Sequence, residues 1–343
     1  MNWTALGAQF GVDGRLAELL RTTWPPAVAT EFGYGDTATE LFRNPRIPFN
    51  AATVETADGA RLHVREFGPR DAQPIVLLHG WGCRIEYWNP QINLLADRYR
   101  VIALDLRGFG RSTQGERPFG VDALGDDLSD VLAATIAAGQ QAAIVGHSLG
   151  GVTLMSWAAR HPGAVRRYAR SVLLMDTVAE NFPVHSRAVP LPEAFGGLRT
   201  RLQRRYVGQL PILDPRLMGP LLRSRALSNT ATVDQTRFVA AIIGSCPNPF
   251  RTRALKVLPG LDVTAGLPNL TVPVTVMVGD RDALTPPSAS RAITDILTRA
   301  GNPPRYVQYP MLGHCVNLQD PQAVTAEIER TVHTARAKDR AAG

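Results

Sequence analysis

The feature that most restricts this chain is an alternation of short β-type runs with amphipathic helical patterns, sustained from residue 61 to the carboxyl end. The β-type runs fall at 61–67, 75–79, 101–105, 142–147, 171–175, 274–278 and 305–309. Ile75-Val76-Leu77-Leu78 and 274–278 are almost wholly apolar, which suits strands covered on both faces of a parallel sheet. Between the runs, 89–98, 121–138, 149–160, 287–300 and 321–336 carry apolar residues at helical spacing, bounded by Gly, Pro or capping residues. Strand and helix in that rhythm predict a doubly wound α/β domain.

The rhythm breaks once. Between Met175 and Val274 the chain is Pro-rich, and 195–209, 215–227 and 232–243 read as short helices. This predicts an α-helical insertion at 177–270, lying over the carboxyl edge of a core made of 51–176 and 271–343. Residues 1–50 read as an N-terminal extension against that core, with a short helix at 14–21 behind Asp13 and then turns at Pro25-Pro26 and Gly33-Tyr34-Gly35.

Composition narrows the class. A chain of 343 residues that is 45% hydrophobic and 20% charged can bury a sizeable core and is neither disordered nor collagen-like. Three cysteines, Cys83, Cys246 and Cys315, cannot form a closed disulfide framework, which points to a reducing compartment. The first ten residues hold no Lys or Arg and no signal-peptide core, and no stretch approaches the roughly 18 to 20 apolar residues of a membrane span. The expected location is therefore the cytoplasm. Neither metal-ligand spacing nor a glycine-rich dinucleotide loop is present, so no metal and no cofactor is expected. Nothing reads as a nucleic-acid-binding module.

The chemistry concentrates at strand ends. Gly146-His147-Ser148-Leu149-Gly150 sits where a β-type run gives way to a helical one. A sharp turn there exposes a serine hydroxyl, and glycines on either side leave room for it. A serine alcohol is a poor nucleophile at neutral pH and requires a histidine base oriented by a carboxylate, in the order Ser, Asp or Glu, His. His314 follows the last β-type run, and Asp282 follows the one before it, with Asp280 expected to cap the same turn and Asp176 an alternative acid. Charge developing on a substrate oxygen needs two backbone N–H groups, assigned to Leu149 and to Trp81 in the loop His79-Gly80-Trp81-Gly82. The Trp81 indole is expected to line the substrate pocket. His79 and His147 are expected to stabilise turns, and Cys83 and Cys315 to be small buried residues.

These pieces, in this order, resemble the α/β-hydrolase family over roughly residues 52–337. Asp105-Leu106-Arg107-Gly108-Phe109-Gly110-Arg111-Ser112 is similar to a turn of that family. The resemblance implies an eight-stranded, mostly parallel sheet with a helical cap between strands 6 and 7, Ser148 as nucleophile, His314 as base and Asp282 as orienting acid. Epoxide hydrolases and haloalkane dehalogenases of this fold carry aspartate where Ser148 stands, which argues against both. Hydrolysis of a carboxylic ester is the leading expectation; thioesterase, carbon–carbon bond hydrolase, perhydrolase and acyltransferase chemistry use the same residues, and a non-hydrolytic ligand-binding or membrane-surface protein is the third reading.

The formal charge of +7 has a location. Residues 177–270 hold twelve Lys or Arg against five Asp or Glu, leaving 25 of each sign elsewhere. The basic excess thus belongs to the expected cap, which points to an acidic or lipid-like small-molecule substrate, or to peripheral contact with an anionic membrane surface.

Overall fold

The structure is a computed structural model that describes residues 40–189, 191–207 and 219–342. The predicted helix at 14–21 lies outside the described residues. Thr37–Gly343 forms one compact unit. Its sheet has eight strands: β1 Phe49–Glu55, β2 Arg61–Phe67, β3 Pro74–Leu78, β4 Arg100–Leu104, β5 Ala142–His147, β6 Ala169–Met175, β7 Val274–Gly279 and β8 Arg305–Tyr309, in the spatial order β1-β2-β4-β3-β5-β6-β7-β8. β1 and β4 flank β2 antiparallel to it, and every pairing from β4 to β8 is parallel. β3, β5 and β7 are buried at every position, because helices cover both faces. Val76 sits between Ile102 and Ile144 in the ladder, so β-branched side chains stack across the sheet's centre.

The helices that cover the core are α1 Asn89–Leu95, α2 Val121–Thr135, α3 Leu149–Arg160 and α4 Pro162–Tyr168, then, after β7, α10 Pro287–Arg299, α11 Val316–Gln319 and α12 Pro321–Ala342. α4 was not anticipated, since His161 and Pro162 read as the end of α3 rather than as a break followed by a second short helix. Trp88 and Trp157 are among the largest fully buried side chains.

Strand β1 corrects the boundary of the N-terminal extension. The segment Phe49-Asn50-Ala51-Ala52-Thr53-Val54-Glu55 lacks the apolar alternation of a half-buried strand because six of its seven residues are exposed. Its cue lies instead in Asp58-Gly59, where Gly59 adopts φ of 76° and Thr56 N–H donates to Ala60 O at 2.9 Å to close the hairpin onto β2. Further upstream, Phe42 is buried and stacks on Phe238 with ring centroids 4.9 Å apart, while Asn89 donates to Phe42 O at 3.0 Å. Residues 40–55 therefore belong to the body.

Between β6 and β7 the described residues are helical: α5 Phe182–His185, α6 Gly196–Tyr206, α7 Gly219–Arg225, α8 Val233–Gly244 and α9 Asn248–Ala254, with 3₁₀ turns and one isolated bridge, Glu180 to Asp262. α8 starts at a capping box, in which Thr232 and Gln235 exchange side-chain and backbone hydrogen bonds. The interval is fastened to the core by Phe250, whose ring packs edge-on to Phe109 and Phe119 with centroids 5.0 and 5.5 Å away. No helix of the described residues is long and apolar enough to cross a membrane.

The turn from Asp105 to Ser112 is a structural anchor. The Asp105 carboxylate accepts from the N–H groups of Ile85 and Arg111 at 2.8 and 2.9 Å, and Ser112 Oγ donates to Asp105 O at 2.6 Å. Arg107, buried, forms paired ion pairs with Asp127 of α2 and Asp58 of the β1–β2 hairpin.

Candidate active site

Ser148 stands between β5 and α3 with φ of 52° and ψ of −114°, a conformation that a residue with a side chain rarely adopts. Its surroundings hold it there. Ser148 N–H donates to Met175 O at 3.0 Å, and Thr177 Oγ1 donates to Ser148 O at 2.7 Å. A Cβ on Gly146 would lie 2.6 Å from Gly150 O, and one on Gly150 only 2.2 Å from Leu78 O, so backbone passes where a side chain would be.

His314 and Asp282 meet as the spacing predicts. His314 Nδ1 lies 2.9 Å from Asp282 Oδ2, and both residues are buried. Asp282 Oδ1 accepts from the N–H groups of Leu284 and Thr285 at 2.8 and 2.9 Å, while Thr285 Oγ1 donates to Oδ2 at 2.7 Å. Burial works to raise this carboxyl, but the His314 charge, its hydrogen bond and those from Thr285 hold it below the usual carboxylate range. The turn is thus capped by Asp282 itself and not by Asp280, whose carboxylate lies 3.8 Å from Arg281. Thr285 was overlooked; an Asp followed three residues later by Thr in a loop is the turn signal that marks it.

Asp176 occupies the other position open to an acid, at the end of β6. Its backbone is left-handed with φ of 45°, and its Oδ1 accepts from Gly279 N–H at 2.9 Å. Burial and the nearby Asp282 charge push its carboxyl well above the usual range, the opposite direction from Asp282. His314 pairs with Asp282, not with Asp176.

Ser148 and His314 both line a cavity of about 290 Å³ beneath the interval helices. Trp81 and Leu149 border it from the core side, and Phe182, Val207, Leu222 and Ile243 from the other. The Leu149 N–H is the first of α3, one of the donors a helix leaves without an internal partner. The Trp81 indole lines the cavity as expected, and its Nε1–H donates to Arg251 O at 2.9 Å, tying this loop to α9. Cys83 and Cys315 are buried, and burial raises both thiols, which keeps them uncharged.

The two histidines of the motifs serve turns, and one also serves His314. His79 Nε2 accepts from Leu106 N–H at 3.0 Å and its Nδ1–H donates to Gly80 O at 2.8 Å. His147 Nε2 lies 2.8 Å from His314 O, an acceptor only, so this nitrogen carries the proton. Behind it, Tyr87 OH is 3.2 Å from the same nitrogen and donates to Asn317 Oδ1 at 2.7 Å. Tyr87 and Asn317 could not be found from sequence, since 230 residues separate them. The remaining four histidines stand elsewhere: His63 accepts from Arg65 Nε at 3.2 Å, His161 pairs with Asp126 at 2.8 Å, His185 with Ser288 at 3.2 Å and His333 with Tyr99 at 3.3 Å.

Burial holds His79 to about 4 and His147 to about 3. Above pH 6.5 both are neutral in the folded and unfolded chain; below it the unfolded chain takes up protons that the folded chain refuses, so stability falls as pH drops. At pH 5 the loss is about 2 kcal/mol per histidine. Guanidinium unfolding at pH 7 and pH 5 measures it, and His147→Asn is expected to lower the pH-dependent loss by that amount. An unaltered pH dependence in the variant contradicts the burial of a neutral ring.

A model of the alpha/beta hydrolase family matches residues 75–328. A non-heme chloroperoxidase of Streptomyces lividans is 31% identical over 242 residues, covering 68% of this chain and 83% of its own. A bifunctional esterase/perhydrolase of Acinetobacter calcoaceticus is 26% identical over 285 residues, covering 80% and 97%. Among solved structures, an esterase from a Rhodococcus species superposes with a TM-score of 0.65 at 24% identity, over 83% of this chain and 99% of that one. The chain is a member of the alpha/beta hydrolase family, among its esterase-like hydrolases.

Proposed function

We propose that the protein hydrolyses a small-molecule carboxylic ester through an acyl-enzyme on Ser148. The observation that carries this reading is the convergence of a strained serine and the Asp282-oriented His314 on one cavity. Ser148 Oγ attacks the ester carbonyl and its proton passes to His314 Nε2. The oxygen turned negative is held by the N–H groups of Trp81 and Leu149. Collapse of the tetrahedral adduct breaks the carbon–oxygen bond, and His314 returns the proton to the departing alcohol. Water then repeats the sequence on the acyl-enzyme, releasing the acid and free Ser148. Asp282 keeps the proton on His314 Nδ1, so that Nε2 faces the serine as a base. The helices between β6 and β7 act as the cap that keeps bulk water from this chemistry.

The cavity wall supports a particular substrate class. Apart from Ser148, His314 and the neighbouring Tyr87, His147 and Thr285 it is mainly apolar, with one cation, Arg225, whose Nε is buried without a partner among the described residues. This supports an acyl chain that is largely hydrocarbon, with room for an acidic group near Arg225. A p-nitrophenyl ester series from acetate to palmitate tests it. Each methylene that enters the cavity contributes about 0.8 kcal/mol, so kcat/KM is expected to rise about four-fold per methylene over the short members and level off when the cavity is full. Turnover that is greatest with acetate and falls with every added carbon contradicts the reading. Product analysis with an added alcohol or hydrogen peroxide separates hydrolysis from transfer to an acceptor other than water.

A further inference from the structure

Four of the large apolar side chains that stand exposed on the described surface, Val184, Phe195, Leu198 and Tyr206, fall within 23 residues of the interval above the cavity. Three of them sit on or at the cap of α6. Projected at 100° per residue, Leu198, Leu202, Phe195 and Tyr206 fall within an arc of about 80°, with Arg205 and Arg201 along its edge and Arg204 beyond them. Arg201, Arg204 and Arg205 are exposed, and no ion pair engages them among the described residues. The adjoining face, about 60° past Tyr206, is fixed to the protein: Gln203, fully buried, donates to Pro183 O and Ser186 O at 2.8 and 3.0 Å. From residue 194 to 213 the sequence contains no Asp or Glu. A face that joins apolar side chains to a row of arginines, on the segment that carries the molecule's entire basic excess, has the chemistry of a helix lying in a lipid–water interface.

We propose that this face of α6 docks the protein on an anionic lipid bilayer. Phe195, Leu198 and Tyr206 enter the headgroup boundary, and Arg201, Arg204 and Arg205 meet the lipid phosphates. The charge commits the partner: a zwitterionic bilayer offers the arginines no net attraction, and an apolar protein surface would leave them unpaired. Docking also orients the cavity, since Val207 follows Tyr206 directly and Phe182 lies two residues before Val184, and both line the cavity.

Co-sedimentation of the full chain carrying Ser148→Ala, with vesicles of phosphatidylcholine alone or with one-third phosphatidylglycerol, tests the proposal without any turnover. Binding to the anionic vesicles is expected to exceed binding to neutral ones by at least ten-fold and to fall in high salt. Replacing Arg201, Arg204 and Arg205 by glutamine is expected to weaken it about 100-fold, at about five-fold per arginine, and Leu198→Asp to weaken it as well. In the Ser148 background the same four substitutions, read by kcat/KM for a soluble ester and by melting temperature, should change neither. Equal binding to both lipids, no binding to the anionic vesicles, unaltered binding by the arginine variant, or a dimer that Leu198→Asp dissolves would each overturn it. Failure of the hydrolase reading shows separately, as absence of soluble-ester turnover in the wild type.

Discussion

Replacing Asp282 by asparagine is expected to lower kcat for a soluble ester by about 10⁴-fold with the fold retained. All four groups around the carboxylate are donors: the N–H groups of Leu284 and Thr285, the Thr285 hydroxyl and His314 Nδ1–H. Asparagine offers one acceptor oxygen and two N–H groups. With its oxygen kept under the two backbone N–H groups, its amide nitrogen faces His314 Nδ1, which must then accept. The ring proton moves to Nε2, and the base is lost from the side that faces Ser148. Asp176→Asn is the control. Asp176 touches Gly279 N–H and not His314, so its replacement is expected to cost less than ten-fold in kcat. The reverse ranking of the two variants would move the acid to β6. Steady-state kinetics of both, with circular dichroism to confirm the fold, decide between them.

Much of this arrangement was legible in the sequence, and the parts that were not share a physical cause. Strands β5 and β8 and helix α3 fall at the positions their patterns predict, because each is either apolar throughout or bounded by Gly, Pro or a turn. Ser148, Asp282 and His314 could be picked out because each follows a strand's carboxyl end, where an open α/β sheet gathers its ligands. β1 was hidden because an exposed edge strand need not alternate; only the Asp58-Gly59 turn marks it. The short helices α5, α9 and α11 were hidden because four to seven residues hold too little periodicity to register. Thr285, Tyr87 and Asn317 act through contacts that the fold alone assembles.

His147 has a role that only the fold assembles. From sequence it is one residue beside a serine, with hydrogen bonding inside a turn as its expected role. In the structure its Nε2–H holds the carbonyl of His314, 167 residues away, so the elbow and the base loop are joined by one hydrogen bond. The spacing between Ser148, the proposed nucleophile, and His314, the proposed base, is thereby fixed through backbone on both sides, as a pre-organised site requires.

In the proposed reaction an acyl group is carried on Ser148 Oγ. Ser148→Ala removes the only atom in this account that bonds to substrate, while His314, Asp282 and the two backbone N–H groups stay in place. Turnover is expected to fall by about 10⁴-fold or more, the residue being the contribution of the oxyanion site and binding. The direct test is intact-mass spectrometry after exposure to a fluorophosphonate. The wild type should gain a single adduct that maps to the peptide containing Ser148, and Ser148→Ala should gain none. Equal labelling of the two proteins, or an adduct on another residue of the wild type, would contradict it.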